Sequence, residues 1–332
     1  PKFWRLERAA YYLAFEAPSV TGKEIECFVG HCIHILGLRH SMLSCLGSVY
    51  VFIRKSYRKR QPLWASSRKE VRWIWSLLPL CVVDCDAEWS STVHCYDASL
   101  SGFGVVASRW PIDQVTKHGR LRERARFRGL LSKVNGDNTE DNLMNVASRC
   151  RGDAFLECLG ITAGFDEISD AALNDNTWTV VASQPWKLPP SHITLMEAKT
   201  RTFSVRHIAR TSGNHGLKHL LCGDNMSTIC MGVKGRASDY DMLLEQRKVC
   251  AISLAANLTI VDRWIATRKN VSDAASRRFA GTVHDLSGQR RKNFARDQRA
   301  PGSSHRKPQE RHQQQQQQQQ AFPATLPSRS PR

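Results

Sequence analysis

The 332-residue chain is 41% hydrophobic and carries a formal net charge of +18, with a pI near 9.7. That apolar share excludes a chain disordered throughout and leaves room for two domains, or for one domain with appendages. No uninterrupted apolar run reaches the roughly 18 residues of a membrane helix, and the charge excess points to a polyanionic partner, nucleic acid before others.

Residues 1–90 read as helical. "VTGKEIECFVGHCIHILGL" sets Ile25, Phe28, Val29, Cys32, Ile33 and Leu36 on one helix face, and "SSRKEVRWIWSLLPLCVV" follows a looser version of the pattern, with Ser66 or Ser67 as its expected cap. Between them, five of the eight residues from Arg54 to Gln61 are basic, read equally well as a solvated loop or a phosphate contact. From Thr92 the period changes to that of strands. "TVHCYDAS" and "GFGVVAS" flank a short turn, which predicts an antiparallel hairpin with Asp97 on its first strand.

Residues 111–190 show no clear period and are taken as an insertion that includes the basic "KHGRLRERARFRGLLSK". "SHITLMEAKTRTFSVRHIAR" then predicts a helix with Glu197 in its first turns. "LKHLLCGDNMSTICMGV" predicts a buried strand over Leu217 to Cys222 and a helix after it, with Asp224 at the junction. "DYDMLLEQRKVCAISLAAN" is an amphipathic helix, "LTIVDRWIA" a strand, and "TRKNVSDAASRR" a loop entering a helix near Asp273. The tail, 279–332, holds few large apolar residues and the glutamine run Gln313 to Gln320, so it is expected to be disordered; residues 277–332 carry 12 Lys/Arg against 3 Asp/Glu, half the charge excess.

Eleven cysteines are scattered, odd in number and often set in apolar runs such as "SMLSCL". With no CxxC pair and no signal peptide, the expectation is a soluble protein of a reducing intracellular compartment, cytoplasmic or nuclear, without a structural zinc site. A first residue of Pro1 rather than Met marks the chain as an expected piece of a longer reading frame.

Singly, each acidic residue has a plain explanation: Asp97 as a solvated strand end, Glu197 as helix surface, Asp224 and Asp273 as helix caps. As a set they are harder to dismiss, since Asp97 and Asp224 adjoin apolar strands where an unpaired carboxylate is costly. A cluster of hard oxygen ligands suits Mg²⁺, with Mn²⁺ as the alternative, completed by substrate phosphates. Two such ions can activate water and stabilise the leaving oxygen of a phosphodiester.

The order of "YDAS" on a strand, "LMEA" on a helix, "CGDNMS" after a strand and "RWIATRKNVSDAASR" at the end resembles the ribonuclease H domain of reverse-transcribing retroelements, most closely the DIRS-like type. The likeness covers about Val20 to Arg278, and residues 1–90 resemble the thumb and connection region that precedes that domain. It implies an α/β fold, a ribonuclease H-like mixed sheet flanked by helices, over 91–278. By the same likeness Asp97, Glu197, Asp224 and Asp273 match the family's four metal-binding carboxylates. Asp97 would bridge two ions, Asp273 would help hold the one that activates water, and Glu197 and Asp224 would hold the other. The implied activity is two-metal hydrolysis of the RNA strand of RNA–DNA hybrids. No Tyr-x-Asp-Asp string occurs, so any polymerase region is expected upstream in a parent polyprotein.

Lys234 and Arg236 in "GVKGRASD", and Arg268 and Lys269 beside the last carboxylate, are candidate contacts to the nucleic-acid backbone, with plain solvated surface as the alternative. Two other readings compete with a nuclease. One is an inactive retroelement relic that binds nucleic acid by charge alone, and the other is a transposase or integrase of the same fold family.

Overall fold

The computed structural model describes residues 2–123, 165–174, 177–187 and 191–280. The first part of the chain is helical: α1 (Lys2–Tyr11) runs into a π-helical turn at Tyr12–Glu16, then come α2 (Gly22–Leu36), a 3₁₀ segment (Gly37–Cys45), α3 (Ser48–Ser56) and α4 (Ala65–Leu77). A capping box at Thr21 starts α2: its hydroxyl accepts from the Glu24 amide while the Glu24 carboxylate accepts from the Thr21 amide. Ile25, Phe28, Val29, Cys32 and Leu36 of α2 enter a core shared with α1, α3 and α4, as their spacing predicts, whereas Ile33 stays exposed. The expected Ser66 or Ser67 cap of α4 is not found. Trp64 occupies the cap position, and Ser67 is buried inside the helix with its hydroxyl on Ser48. No single described helix is long and apolar enough to cross a membrane. The bent pair Gly22–Cys45 and Ser48–Ser56 meets length and composition only together, at 92°, and its apolar side faces the core.

Five strands follow: β1 (Thr92–Ala98), β2 (Gly102–Arg109), β3 (Thr179–Pro185), β4 (Lys218–Gly223) and β5 (Thr259–Trp264). Their order is β3-β2-β1-β4-β5, antiparallel from β3 to β1 and parallel from β1 to β5. Between and after the strands lie α5 (Ile112–Arg120), α6 (Asp170–Asn174), α7 (Ile193–Ala209), α8 (Met226–Lys234), α9 (Tyr240–Ala255) and α10 (Asp273–Arg277). The period of two in β1 divides its side chains. Tyr96 joins Phe103, Val105, Val205, Ile208 and Leu221 on the α7 side, while Val93 and Cys95 join Val106, Val115, Cys222 and Ala275 on the other. This is the α/β, ribonuclease H-like mixed sheet flanked by helices that the sequence resemblance implies.

The sheet reaches into the segment read as an insertion. β3 lies within 111–190, its pairing with β2 shifted between Val105 and Val106, and its residues are half-buried or exposed. An edge strand that buries neither face gives no clean alternation to read, which is why the sequence concealed it. The basic stretch from residue 124 onward and nearly all of the tail, from 281, lie outside the described residues.

Candidate metal centre

The site forms where β1 and β4 end side by side. Their parallel register pairs His94 with Leu221 and Cys95 with Cys222, so two residues further on Asp97 stands level with Asp224. Asn225, not Asp224, caps α8, its side chain accepting from the Thr228 amide; the Asp224 carboxylate is thus left out of helix capping. From the Tyr96 side of the sheet, α7 brings Glu197, whose Oε1 accepts from the Ala98 amide at 3.2 Å. From the other side α10 lies directly on β2. A Cβ on Gly104, the pairing partner of Asp97, would sit 2.6 Å from the Ala275 Cβ and 2.7 Å from the Ser276 nitrogen, so the second glycine of "GFG" is what lets α10 approach.

Asp97, Glu197 and Asp224 each offer an oxygen such that the three lie within 4.8 Å of one another. Asp97 is 5% exposed and Glu197 3%, with Asp224 half-buried. Burial first, then the neighbouring Asp224, pushes the Asp97 carboxyl up to about 7, against the Ser276 hydrogen bond and the Arg277 charge that pull it down. Glu197 is raised well above the carboxylate range by burial and then by Asp97 and Asp224. Asp224 is raised by burial, while hydrogen bonds from Thr267 and Asn270 oppose the shift.

Three mutually repelling carboxyls drawn together, two of them buried, suit a divalent cation. Ligands on opposite sides of an ion at 2.0 to 2.6 Å stand about 4 to 5 Å apart, which matches the spacing here. Glu197 supplies a second sign: its Oε2 is buried and has no hydrogen-bond partner in the protein, an acceptor left open beside the other two carboxyls. The residues present therefore suit a bound metal ion, without specifying which.

Asp273, the fourth expected carboxylate, starts α10 but falls outside the set of three. It pairs with Arg277 Nε at 2.7 Å, near enough to the others to raise both Asp97 and Asp224. Of the four expected backbone contacts, Lys234 and Arg268 are exposed, Arg236 reaches the Tyr50 hydroxyl at 3.4 Å and Lys269 pairs with Asp170. Gly235 ends α8 in the left-handed conformation, φ +66°, and a Cβ there would strike the His40 carbonyl, so the "GVKG" turn is held against the helical region.

Two residues the sequence reading left out hold Asp97 in place. Ser276 donates its hydroxyl to Oδ2, and Asn270 Nδ2 reaches Oδ1 at 3.4 Å and the Tyr96 carbonyl at 3.2 Å. Asn270 is itself oriented by Ser272, whose amide and hydroxyl both donate to Asn270 Oδ1. Both stand in the closing string "NVSDAASR", which was the available signal: the polar residues flanking Asp273 turn inward as well.

No family model and no curated protein matches the chain. Among solved structures it is similar to the foamy viral protease-reverse transcriptase in complex with RNA/DNA hybrid, at 9% identity over 84% of this chain and 50% of that one, with a TM-score of 0.25. The chain thus spans half the length of that structure. This is a distant likeness to a reverse transcriptase, too loose to show family or activity.

Proposed function

We propose that the chain is a retroelement-derived ribonuclease H, of the DIRS-like type, that hydrolyses the RNA strand of RNA–DNA hybrids inside the cell, in the cytoplasm or nucleus. In this reading residues 1–90 are a thumb and connection-like region, and a polymerase region lies upstream in the parent polyprotein. One observation carries the proposal: three carboxylates from remote parts of the sequence converge at the ends of parallel strands β1 and β4 with an unpartnered Glu197 oxygen among them.

Bound there, Mg²⁺ ions would supply charge to activate water and to stabilise the leaving oxygen of the phosphodiester. Asp97, Glu197 and Asp224 would hold them, with Asp273 at the rim. Ser276 and Asn270 keep the Asp97 carboxylate in one orientation, and Trp264, donating to the Asp224 carbonyl at 2.8 Å, anchors the backbone that carries the second. Selectivity for hybrid would come from contacts to ribose 2′-hydroxyls across the wide minor groove. Lys234, Arg236, Arg268 and Lys269 would lie along the approach of the backbone, Lys269 giving up Asp170 to meet it.

Assaying cleavage of a labelled RNA–DNA hybrid with Mg²⁺, for wild type and Asp97→Asn, tests this. Cleavage by wild type that falls at least about 100-fold in the variant, with hybrid binding retained, is the expected result. Equal inertness of the two while both bind would instead make the chain a binding relic, and joining of DNA ends would make it a transposase or integrase.

A further inference from the structure

A second feature of α7 lies away from the carboxylates. Lys199, Thr202, Phe203 and Arg206 share the face of α7 turned to α9, at helical spacing, and with Glu245 and Lys248 of α9 they line a cleft of about 170 Å³. Its one acid is already engaged. Glu245 Oε1 pairs with Lys248 at 2.7 Å and Oε2 accepts from the Thr202 hydroxyl at 2.9 Å. Lys199 and Arg206 have no carboxylate partner among the described residues. Between them stands Phe203, 39% exposed, stacked on Phe103 at 4.8 Å and overlain by the Arg206 guanidinium at 5.7 Å from the ring centre.

We infer that this cleft is a second phosphate-contact site for a nucleic-acid strand, separate from the metal centre. The inference rests on nucleic acid being the substrate, as proposed above, but not on catalysis. Lys199 and Arg206 stand seven residues apart on α7, about 10 Å along its axis. That is wider than a single phosphate group, so the two cations are placed to meet different phosphates of one strand. A free phosphate ion would engage only one end of that row. Arg206 lying on a half-exposed ring presents a flat guanidinium that can pair with a phosphate while an aromatic edge meets sugar or base. Since α7 is a single continuous helix, a strand held here is fixed relative to Glu197, which faces the sheet from the first turns of the same helix.

The test uses the full chain carrying Asp97→Asn, so that a labelled RNA–DNA hybrid survives the measurement. Its affinity is followed between about 50 and 200 mM salt with and without Lys199→Gln/Arg206→Gln. Loss of two phosphate contacts predicts a salt slope shallower by about 1.4 to 1.8 and an affinity lower on the order of tenfold at the low-salt end. Lys2→Gln/Arg5→Gln removes equal charge from an exposed part of the helical region and is expected to change the slope by far less. Lys199→Gln alone, with half the expected slope change, serves if the double variant does not fold. An unchanged slope, or an equal change in the control pair, overturns the cleft as a site. A chain whose wild type cuts hybrid while the cleft variant keeps its slope loses this inference and keeps the nuclease; a chain that never cuts but shows the slope change does the reverse.

Discussion

Two buried acidic centres face helix α7 from one sheet and are balanced in opposite ways. On β5, Asp262 meets Arg201 through two parallel hydrogen bonds of 2.7 Å, and the remaining guanidinium nitrogen goes to Gln246 at 3.0 Å; both charged side chains are almost wholly buried. At the ends of β1 and β4, Asp97, Glu197 and Asp224 have no such paired cation among the described residues. Arg201 sits four residues after Glu197 on the same helix, the spacing at which a Glu and an Arg ordinarily pair. With Nε and Nη2 donating to Asp262 and Nη1 to Gln246, it is turned away from Glu197. The chain thus carries a buried arginine next to the site and directs it elsewhere. One centre is complete in itself, and the other is relieved by protonation or by a cation from outside.

Breaking the complete centre has the largest expected effect. Arg201→Met leaves Asp262 buried and unpaired and should cost about 3 to 5 kcal/mol in urea denaturation, while adding Asp262→Leu should recover most of it, because two apolar side chains carry no desolvation penalty. An Arg201→Met protein as stable as wild type would show that the pair is not what balances Asp262.

The incomplete centre predicts the reverse response to losing a charge. Asp97→Asn removes repulsion, so the metal-free variant should match or exceed wild type in stability. Mg²⁺ at about 100 times its Kd should add about 2.7 kcal/mol to wild type and far less to the variant, read as shifts in Tm. Equal Mg²⁺ shifts in both proteins would remove Asp97 from the ligand set.

Acidity separates the two kinds of buried group further. Folded Asp97 keeps its proton up to about pH 7, whereas an unfolded aspartate releases it near pH 4. Its contribution to stability is therefore full below about pH 4 and lost as pH rises through about 7. His94, buried on β1 with its Nδ1 unpartnered, is pushed down to about 3 by burial and then by His219 and His207. Its contribution is full above about pH 6.5 and is lost as pH falls through about 3. Metal-free protein should lose stability on both limbs of a pH–Tm profile; saturating Mg²⁺, which binds the ionised carboxylates, should flatten the alkaline limb and leave the acid one.

The smallest effect is expected at the support of the site. Ser276→Ala removes one hydrogen bond to Asp97, worth about 1 kcal/mol of stability, and should weaken Mg²⁺ binding by about tenfold in calorimetry without abolishing it. Unchanged Mg²⁺ affinity would show that Ser276 does not orient the carboxylate.

Much of this molecule was legible in local pattern. The 3.6-residue period in α2 states which side of the helix faces a core, whereas β1 and β4 are buried on both faces and α7 over most of its surface, so there the local pattern states only the type of element. Edge strand β3 was not legible, because no residue of it is fully buried and its half-buried ones, 181–183, are consecutive rather than alternating. Nor was the cap of α4, since Ser67 turns to Ser48 across the core rather than to its own helix. The acids could be nominated from their positions at the ends of elements and from the resemblance of the strings around them.

What the linear order did determine is the type of the elements outside 111–190 and the candidacy of four carboxylates. Tertiary structure alone decided which of them share a space, that Arg201 is withheld from Glu197, that Gly104 admits α10, and that Asp273 turns to Arg277. The reason is range. Periodicity and capping act over a few residues of one chain segment, whereas the balance of charge in a closed pocket depends on groups a hundred or more positions apart, whose distances are set only when the strands have paired.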